Sequence, residues 1–308
     1  MWMFNNKVTK WLVASFFAMS HLCFAQAITV SHPLGETQLK ATPKRVVVLG
    51  MDSLDSLDAL GIEPIGVVKS PAPTYLKKYQ SEKYKSVGTL FEPDFEAIYT
   101  LKPDLIIVSN RSSLSFDALS KIAPTVSYMA DPADFWKTTT ASWRMLATIF
   151  AKQAQVEALI AQQKSAIDAI KQRNQADDAK ALVVMRNGTN LTTFGAMSRY
   201  GVIFDLFGFK EALSNDTRYQ HGDLISFEYI TQVDPQYMLV LDRDTAIGHA
   251  NKSAKESFNN PLINKLSVYK DDHIHYLNSH AWYISASGIQ ATQLMIDDMN
   301  AINGNGEK

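Results

Sequence analysis

Gln153 to Gln175 reads QAQVEALIAQQKSAIDAIKQRNQ, and the rest of the chain is organised around it. Val156, Leu159, Ile160, Ile167 and Ile170 return at steps of three and four, separated by Gln, Lys and Asp. That spacing predicts a helix with one buried stripe. No Gly or Pro interrupts it, so at about 1.5 Å per residue it forms a rod roughly 30 Å long. The sequence on one side of the rod resembles the sequence on the other. Asp94-Phe-Glu-Ala-Ile, Pro103-Asp-Leu-Ile-Ile-Val and Ser109-Asn-Arg111 precede it; Ser226-Phe-Glu-Tyr-Ile, Pro235-Gln-Tyr-Met-Leu-Val and Leu241-Asp-Arg243 follow it. In both copies Glu stands seven residues before Pro and fifteen before Arg: Glu96, Pro103, Arg111 and Glu228, Pro235, Arg243. The pattern predicts two like-built lobes joined by a stiff helix, each offering an arginine to a shared cleft.

Outward from the rod, short apolar runs alternate with helical patterns. Ile28–His32 and Thr37–Lys40 flank Pro33-Leu-Gly-Glu as an opening hairpin. Arg45–Leu49, Ile65–Val68, Leu105–Val108 and Thr125–Met129 read as strands. Helices are expected through Leu54, Leu57 and Leu60 up to Gly61, after the capping residue Asp94, over Phe116–Ile122 and over Phe135–Phe150. Residues 70–92, rich in Pro, Tyr and Lys, read as a loop. Beyond the rod, Ala181–Met185 opens the second lobe and Leu191–Phe194 returns as a hairpin. Helices are expected over Gly201–Phe207, Pro261–Val268 and Ala291–Ile302, with a strand at Ile274–Leu277. The fold class is therefore α/β: two doubly wound lobes with largely parallel sheets, residues 26–152 and 176–308, joined by the helix 153–175.

Length suits two domains, and 46% hydrophobic with 20% charged residues describes a soluble globular chain. The first residues depart from that. Lys7 and Lys10 precede the apolar run Trp11–Met19, and Cys23-Phe-Ala25 supplies small residues for cleavage, so residues 1–25 read as a signal peptide cut after Ala25. Leu22, before the single cysteine, argues against lipidation. Loss of two lysines and no acids moves the formal charge from −1 to −3, which leaves no basic field for nucleic acid. No later stretch approaches the roughly 18 apolar residues of a membrane helix. A soluble exported protein is expected.

Arg111 and Arg243 occupy one position of the repeat, each just past a buried strand, where α/β sheets place their ligands. A local pairing with Asp117 or Asp242 is the plain alternative; recurrence in one frame favours ligand contact. Arg199, in a small-residue turn ahead of a helix, makes a third cation, and three guanidiniums at one cleft call for an anionic ligand. His221 lies in a polar loop and Tyr283 follows Trp282 after the last strand; singly each is an ordinary loop or wall residue, while together they are plausible donors to ferric iron. Glu96 and Glu228 suit the first turn of a helix, where acids complement the dipole, yet their duplication fits a partner with two basic sockets. His273 and His275 share a strand face near His280, with no acid at helical spacing to complete a metal site. No phosphate loop, nucleophile elbow or His-Glu-x-x-His is present, so the case for an enzyme is poor.

Further motifs point to a family. They are Arg45-Val-Val-Val-Leu, Asp55-Ser-Leu-Asp-Ala-Leu-Gly61, Val87-Gly88, Pro93-Asp-Phe-Glu-Ala-Ile98, Leu101-Lys-Pro-Asp-Leu-Ile-Ile107, Ile122-Ala-Pro-Thr125, Ser198-Arg-Tyr-Gly201, His221-Gly222 and Trp282-Tyr283. With these, residues 26–308 resemble the periplasmic ferric-siderophore binding proteins that feed ABC importers, and most of all their catecholate branch. The resemblance implies a class III binding-protein fold and a ferric catecholate ligand of the vibriobactin or enterobactin type, with no intrinsic cofactor. It also implies an inner-membrane ABC permease as partner, a periplasmic location and a monomer. Arg111, Arg199 and Arg243 then bind the anionic centre beside Trp282, His221 and Tyr283 complete the iron shell of tetradentate ligands, and Glu96 and Glu228 dock on the permease. Asn-Ser-His-Ala before Trp282-Tyr283 replaces the family's acidic, proline-containing lead-in. A haem or corrinoid binder would share the fold without needing three arginines, a hydrolase would need a nucleophile–base pair that cannot be assembled, and a pure interaction module would use only the two glutamates.

Overall fold

The computed structural model describes residues 27–212, 222–249 and 252–303; the expected signal peptide, residues 1–25, and His221 lie outside them. β1 (Ile28–His32) and β2 (Gly35–Leu39) form the opening antiparallel hairpin. The first sheet holds β3 (Val46–Val48), β4 (Gly66–Val67), β5 (Lys85–Ser86), β6 (Leu105–Val108) and β7 (Thr125–Ser127), ordered β5-β4-β3-β6-β7 and parallel throughout. Val46–Val48 and Leu105–Val108 are buried along their whole length, as strands covered by helices on both faces must be. The stretch 70–92, expected as loop, contains a 3-10 helix, Thr74–Gln80.

The second sheet holds β8 (Lys180–Asn187), β9 (Asn190–Phe194), β10 (Lys210–Glu211), β11 (Asp223–Ile225), β12 (Tyr237–Asp242) and β13 (Ile274–Tyr276). It is mixed, with three parallel pairings and two antiparallel: β12 joins β8 and β13, and β10 joins β8, in parallel, while β8 turns back on β9 in the expected hairpin and β9 carries β11, both antiparallel. Asn187 and Asn190 pair across the turn that contains Gly188, so the hairpin occupies the place where the first sheet sends β3 into the helix Met51–Ala59.

The sequence repeat is a repeat of structure. Helices Phe95–Leu101 and Phe227–Val233 are each seven residues long, capped by Asp94 on the Ala97 N–H (2.9 Å) and by Ser226 on the Tyr229 N–H (3.3 Å). Each ends in a left-handed residue, Lys102 or Asp234, directly before proline, which cannot continue the helix. β6 and β12 follow. After them Arg111 and Arg243 sit in the first turns of short helical segments, Asn110–Ser115 and Arg243–Ala246.

The rod runs from Gln153 to Ala176, and its buried stripe serves two cores in succession. Val156 and Ile160 pack into the core of the first sheet, Ile167 and Ile170 into that of the second. Leu159 is half-buried; Gln163, between the two sets, is buried and donates through Nε2 to the Ile289 carbonyl (3.0 Å). That carbonyl opens the closing helix, Ile289–Asn303, whose later residues lie in the second core while Ile284 and Ile289 belong to the first. The Ser287 carbonyl accepts from Tyr128 Oη (2.6 Å) and Trp143 Nε1 (2.8 Å), and Asp55 accepts from the Gln290 and Ala291 N–H groups (2.7 and 3.0 Å). The C-terminal segment is thereby tied to the first half.

Candidate functional site

A cavity of about 290 Å³ opens where these parts converge. Leu49–Asp52 after β3, Ser109–Arg111 after β6, Leu90 and Phe135 line it from the first half; Arg199, Trp282, Tyr283, Ile284, Ala286 and Ser287 line it from the second. The strands that supply Leu49 and Ser109 deliver them at their carboxyl ends, as the α/β rule requires.

Arg111 lies in a segment begun by a capping box between Ser109 and Ser112, in which the Ser109 N–H donates to Ser112 Oγ (3.0 Å); Ser109 Oγ donates separately to Asp52 Oδ1 (2.6 Å). Arg199 rides a turn that needs Gly201, because a Cβ there would stand 2.1 Å from the Ala196 carbonyl oxygen. Arg243 donates from Nε to Tyr283 Oη (2.8 Å) and from Nη1 to Asn187 Oδ1 (2.9 Å). The three guanidinium carbons lie 5.7, 4.7 and 5.7 Å from the Tyr283 ring centroid, in the order Arg111, Arg199, Arg243. Arg111 also stacks on Phe91 (5.6 Å) and Arg199 on Tyr200 (4.9 Å).

Among the described residues none of these arginines forms an ion pair. Asp242 is engaged by Arg186 at 2.8 and 3.0 Å, in a buried pair that also takes Asp244 at 3.4 Å, and Asp117 is exposed. Among the described residues the one acid in the wall is Asp52. Burial pushes its carboxyl up, against hydrogen bonds from Ser109, Ser53 and Ser287 and the charge of Arg111.

The predicted site residues divide accordingly. Arg111, Arg199, Trp282 and Tyr283 line the cavity. Arg243 is brought to the same tyrosine but stands off the cavity wall, its guanidinium between Asn187 and the phenol oxygen. Trp282 is buried, with its indole N–H donated to Asp298 Oδ2 (2.8 Å) and its ring against Phe207 (6.1 Å), so it serves as wall and its polar edge faces away. Glu96 and Glu228 are exposed at the matched helix starts. His273, His275 and His280 do not form a site: among the described residues no group of three or more His, Cys, Asp or Glu could hold a metal. Asp52, Asn187 and Phe91 escaped the sequence reading. Only Asn187 carried a signal, the Asn-Gly turn, and that announces a hairpin without announcing the arginine it holds.

Comparison with known proteins places these features in context. Residues 46–281 match the model of a family described as periplasmic binding protein. The petrobactin-binding protein YclQ of Bacillus subtilis is 37% identical over 278 residues, covering 89% of this chain and 87% of that protein. The ferric-anguibactin-binding protein FatB of Vibrio anguillarum is 32% identical over 280 residues, with 88% and 86% covered. Among solved structures, the periplasmic catecholate-siderophore binding protein VctP of Vibrio cholerae superposes with a TM-score of 0.86 at 46% identity, covering 90% of this chain and all of that one. Among the described residues no helix is long and apolar enough to cross a membrane.

Proposed function

The chain belongs to the periplasmic binding protein family and is a substrate-binding protein, not an enzyme, and we propose that it captures ferric catecholate siderophores in this cleft and hands them to an inner-membrane ABC importer. The observation that carries the reading is the cluster of three guanidiniums around the Tyr283 ring at the cavity, none of them in an ion pair among the described residues. A ferric tris-catecholate carries about three negative charges, and three half-buried cations offset them where a neutral ligand would leave unpaired charge in the cleft. Similarity to the catecholate binder of Vibrio cholerae supports the same ligand class.

On this reading His221 and Tyr283 fill the two iron positions that a bis-catecholate leaves open, iron being cargo and not a resident cofactor. Trp282 backs the ligand, and Glu96 and Glu228 engage the permease. Residues 1–25 direct export to the periplasm, 26–152 and 176–308 are the two lobes, 153–175 is the linker that limits closure to small motions, and the protein acts as a monomer. A haem or corrinoid ligand is a weaker reading, because it would leave the arginines without enough charge to meet.

Fluorescence titration with bis- and tris-catecholate, hydroxamate and haem ligands tests the proposal. Ferric catecholates quench the protein and neutral hydroxamates bind poorly. Arg111→Ala, Arg199→Ala and Arg243→Ala each weaken catecholate binding by about 1.5–3 kcal/mol, the scale of a charge-assisted hydrogen bond. Unchanged affinity in all three variants overturns it.

A further inference from the structure

Three like charges gathered around one aromatic ring need something to hold them. No two of the guanidinium carbons can be farther apart than twice 5.7 Å, and no carboxylate among the described residues pairs with any of them. Their common neighbour is Tyr283. The face of a phenol ring attracts cations through its quadrupole, and its oxygen offers a lone pair to the Arg243 Nε–H at 2.8 Å. The hub is itself anchored. Tyr283 ends the helix Ser279–Tyr283, which Asn278 caps on the Ala281 N–H (3.1 Å). On its far side Arg243 is pinned by Asn187, next to the buried Arg186–Asp242 pair. A chain of fixed contacts thus runs from the second sheet through Arg243 to the phenol, and from the phenol to Arg199 of the same half and Arg111 of the other.

We propose that Tyr283 is the hub that assembles Arg111, Arg199 and Arg243 into one preorganised anion-binding unit, a positioning role separate from any bond it makes to iron. The inference deepens the proposed function and takes its ligand class from it, but the assembly itself is a property of the protein alone. Arginines held at fixed distances lose less side-chain freedom when an anion arrives, and the ligand need not gather them. Arg243 then contributes chiefly through the tyrosine and through its long-range charge.

The test separates ring from hydroxyl. Tyr283→Phe keeps the π face and removes the oxygen; Tyr283→Leu removes both and keeps an apolar side chain in the helix. Thermal unfolding is followed from low to high sodium chloride, alongside titration with ferric tris-catecholate, which saturates its own iron. In the leucine variant the guanidiniums repel without a shield, so it melts below the parent at low salt and the gap narrows as salt screens the charges. The phenylalanine variant stays nearer the parent. The leucine variant binds tris-catecholate about tenfold more weakly than the parent and the phenylalanine variant loses no more than about threefold, as cation–π contacts of this number imply. Equal losses in both variants, or a leucine variant whose melting gap ignores salt, overturn the hub. If the parent itself fails to bind catecholates, the proposed ligand is wrong and the salt dependence of melting still decides the hub.

Discussion

The two copies of the repeat share a capped seven-residue helix, a left-handed exit, a proline and a buried strand, and they part at the residue before the arginine. In the first copy Asn110 is exposed and Arg111 next to it faces the cavity. In the second the matching residue is Asp242, buried with Arg186, and Arg243 next to it is tethered to Asn187 and Tyr283. The strands beside them differ in the same sense: β3 continues into the helix Met51–Ala59, whereas β8 doubles back through the turn that carries Asn187. One local code thus presents an arginine held by ring contacts from one half and an arginine fixed by side-chain hydrogen bonds from the other.

The sharpest way to test the symmetric part of the comparison is at the matched acids. Glu96→Ala with Glu228→Ala removes one exposed carboxylate from each helix start and leaves the caps Asp94 and Ser226 in place. Ligand binding stays intact while uptake through the importer is lost. Normal uptake by the double variant would reduce both residues to complements of the helix dipole.

The asymmetric part breaks at the next position. Asp242→Ala strands Arg186 without its main partner in a buried site and also removes acceptors from Thr245 and Ala254, so unfolding free energy falls by about 3–5 kcal/mol. Asn110→Ala, at the matching exposed site, changes it by less than about 0.5 kcal/mol. Chemical denaturation of both variants checks the contrast, and similar losses would mean that the two positions are equivalent after all.

Much of this was legible in the sequence because it depended on local rules. The stripe on Gln153–Ala176, the Asp94 and Ser226 caps and the buried runs Val46–Val48 and Leu105–Val108 follow from spacing and capping chemistry. That Arg111, Arg199 and Tyr283 line one cavity was predictable only by adding the repeat and the resemblance together. What escaped depended on contacts remote in sequence. Asp52 meets Ser287 and Asp55 meets Gln290 across more than two hundred residues, and nothing local to Met51–Ala59 announces either contact. Of the second sheet, the β8–β9 hairpin was legible from Gly188, while β11, paired antiparallel to β9, is three residues long and too short a run to announce itself.

Asp55 offers the most selective break, because the second half has a hairpin where its helix would be. The carboxyl is fully buried, accepts from Tyr75 Oη (2.6 Å) and from the Gln290 and Ala291 N–H groups, and touches the position where Gly288 admits no side chain. Burial pushes it up to about 7, more than its hydrogen bonds pull it down. A group whose folded pKa exceeds its unfolded value, 3.8 here, stabilises fully below the lower value and loses that contribution as pH rises through the upper one. Between about pH 4 and 7 the folded state therefore holds a proton that the unfolded state has released, and stability falls by up to about 1.4 kcal/mol per pH unit. His32, His275 and His280, all shifted down by burial, act with the opposite sign near the top of this window, so the parent curve alone would blur the effect. The difference between the parent and Asp55→Asn isolates it, since the histidines are common to both. The variant gains on the parent as pH rises from 4 to 7 and holds that gain above it. Parallel curves would mean that the helix N–H groups keep Asp55 ionised throughout.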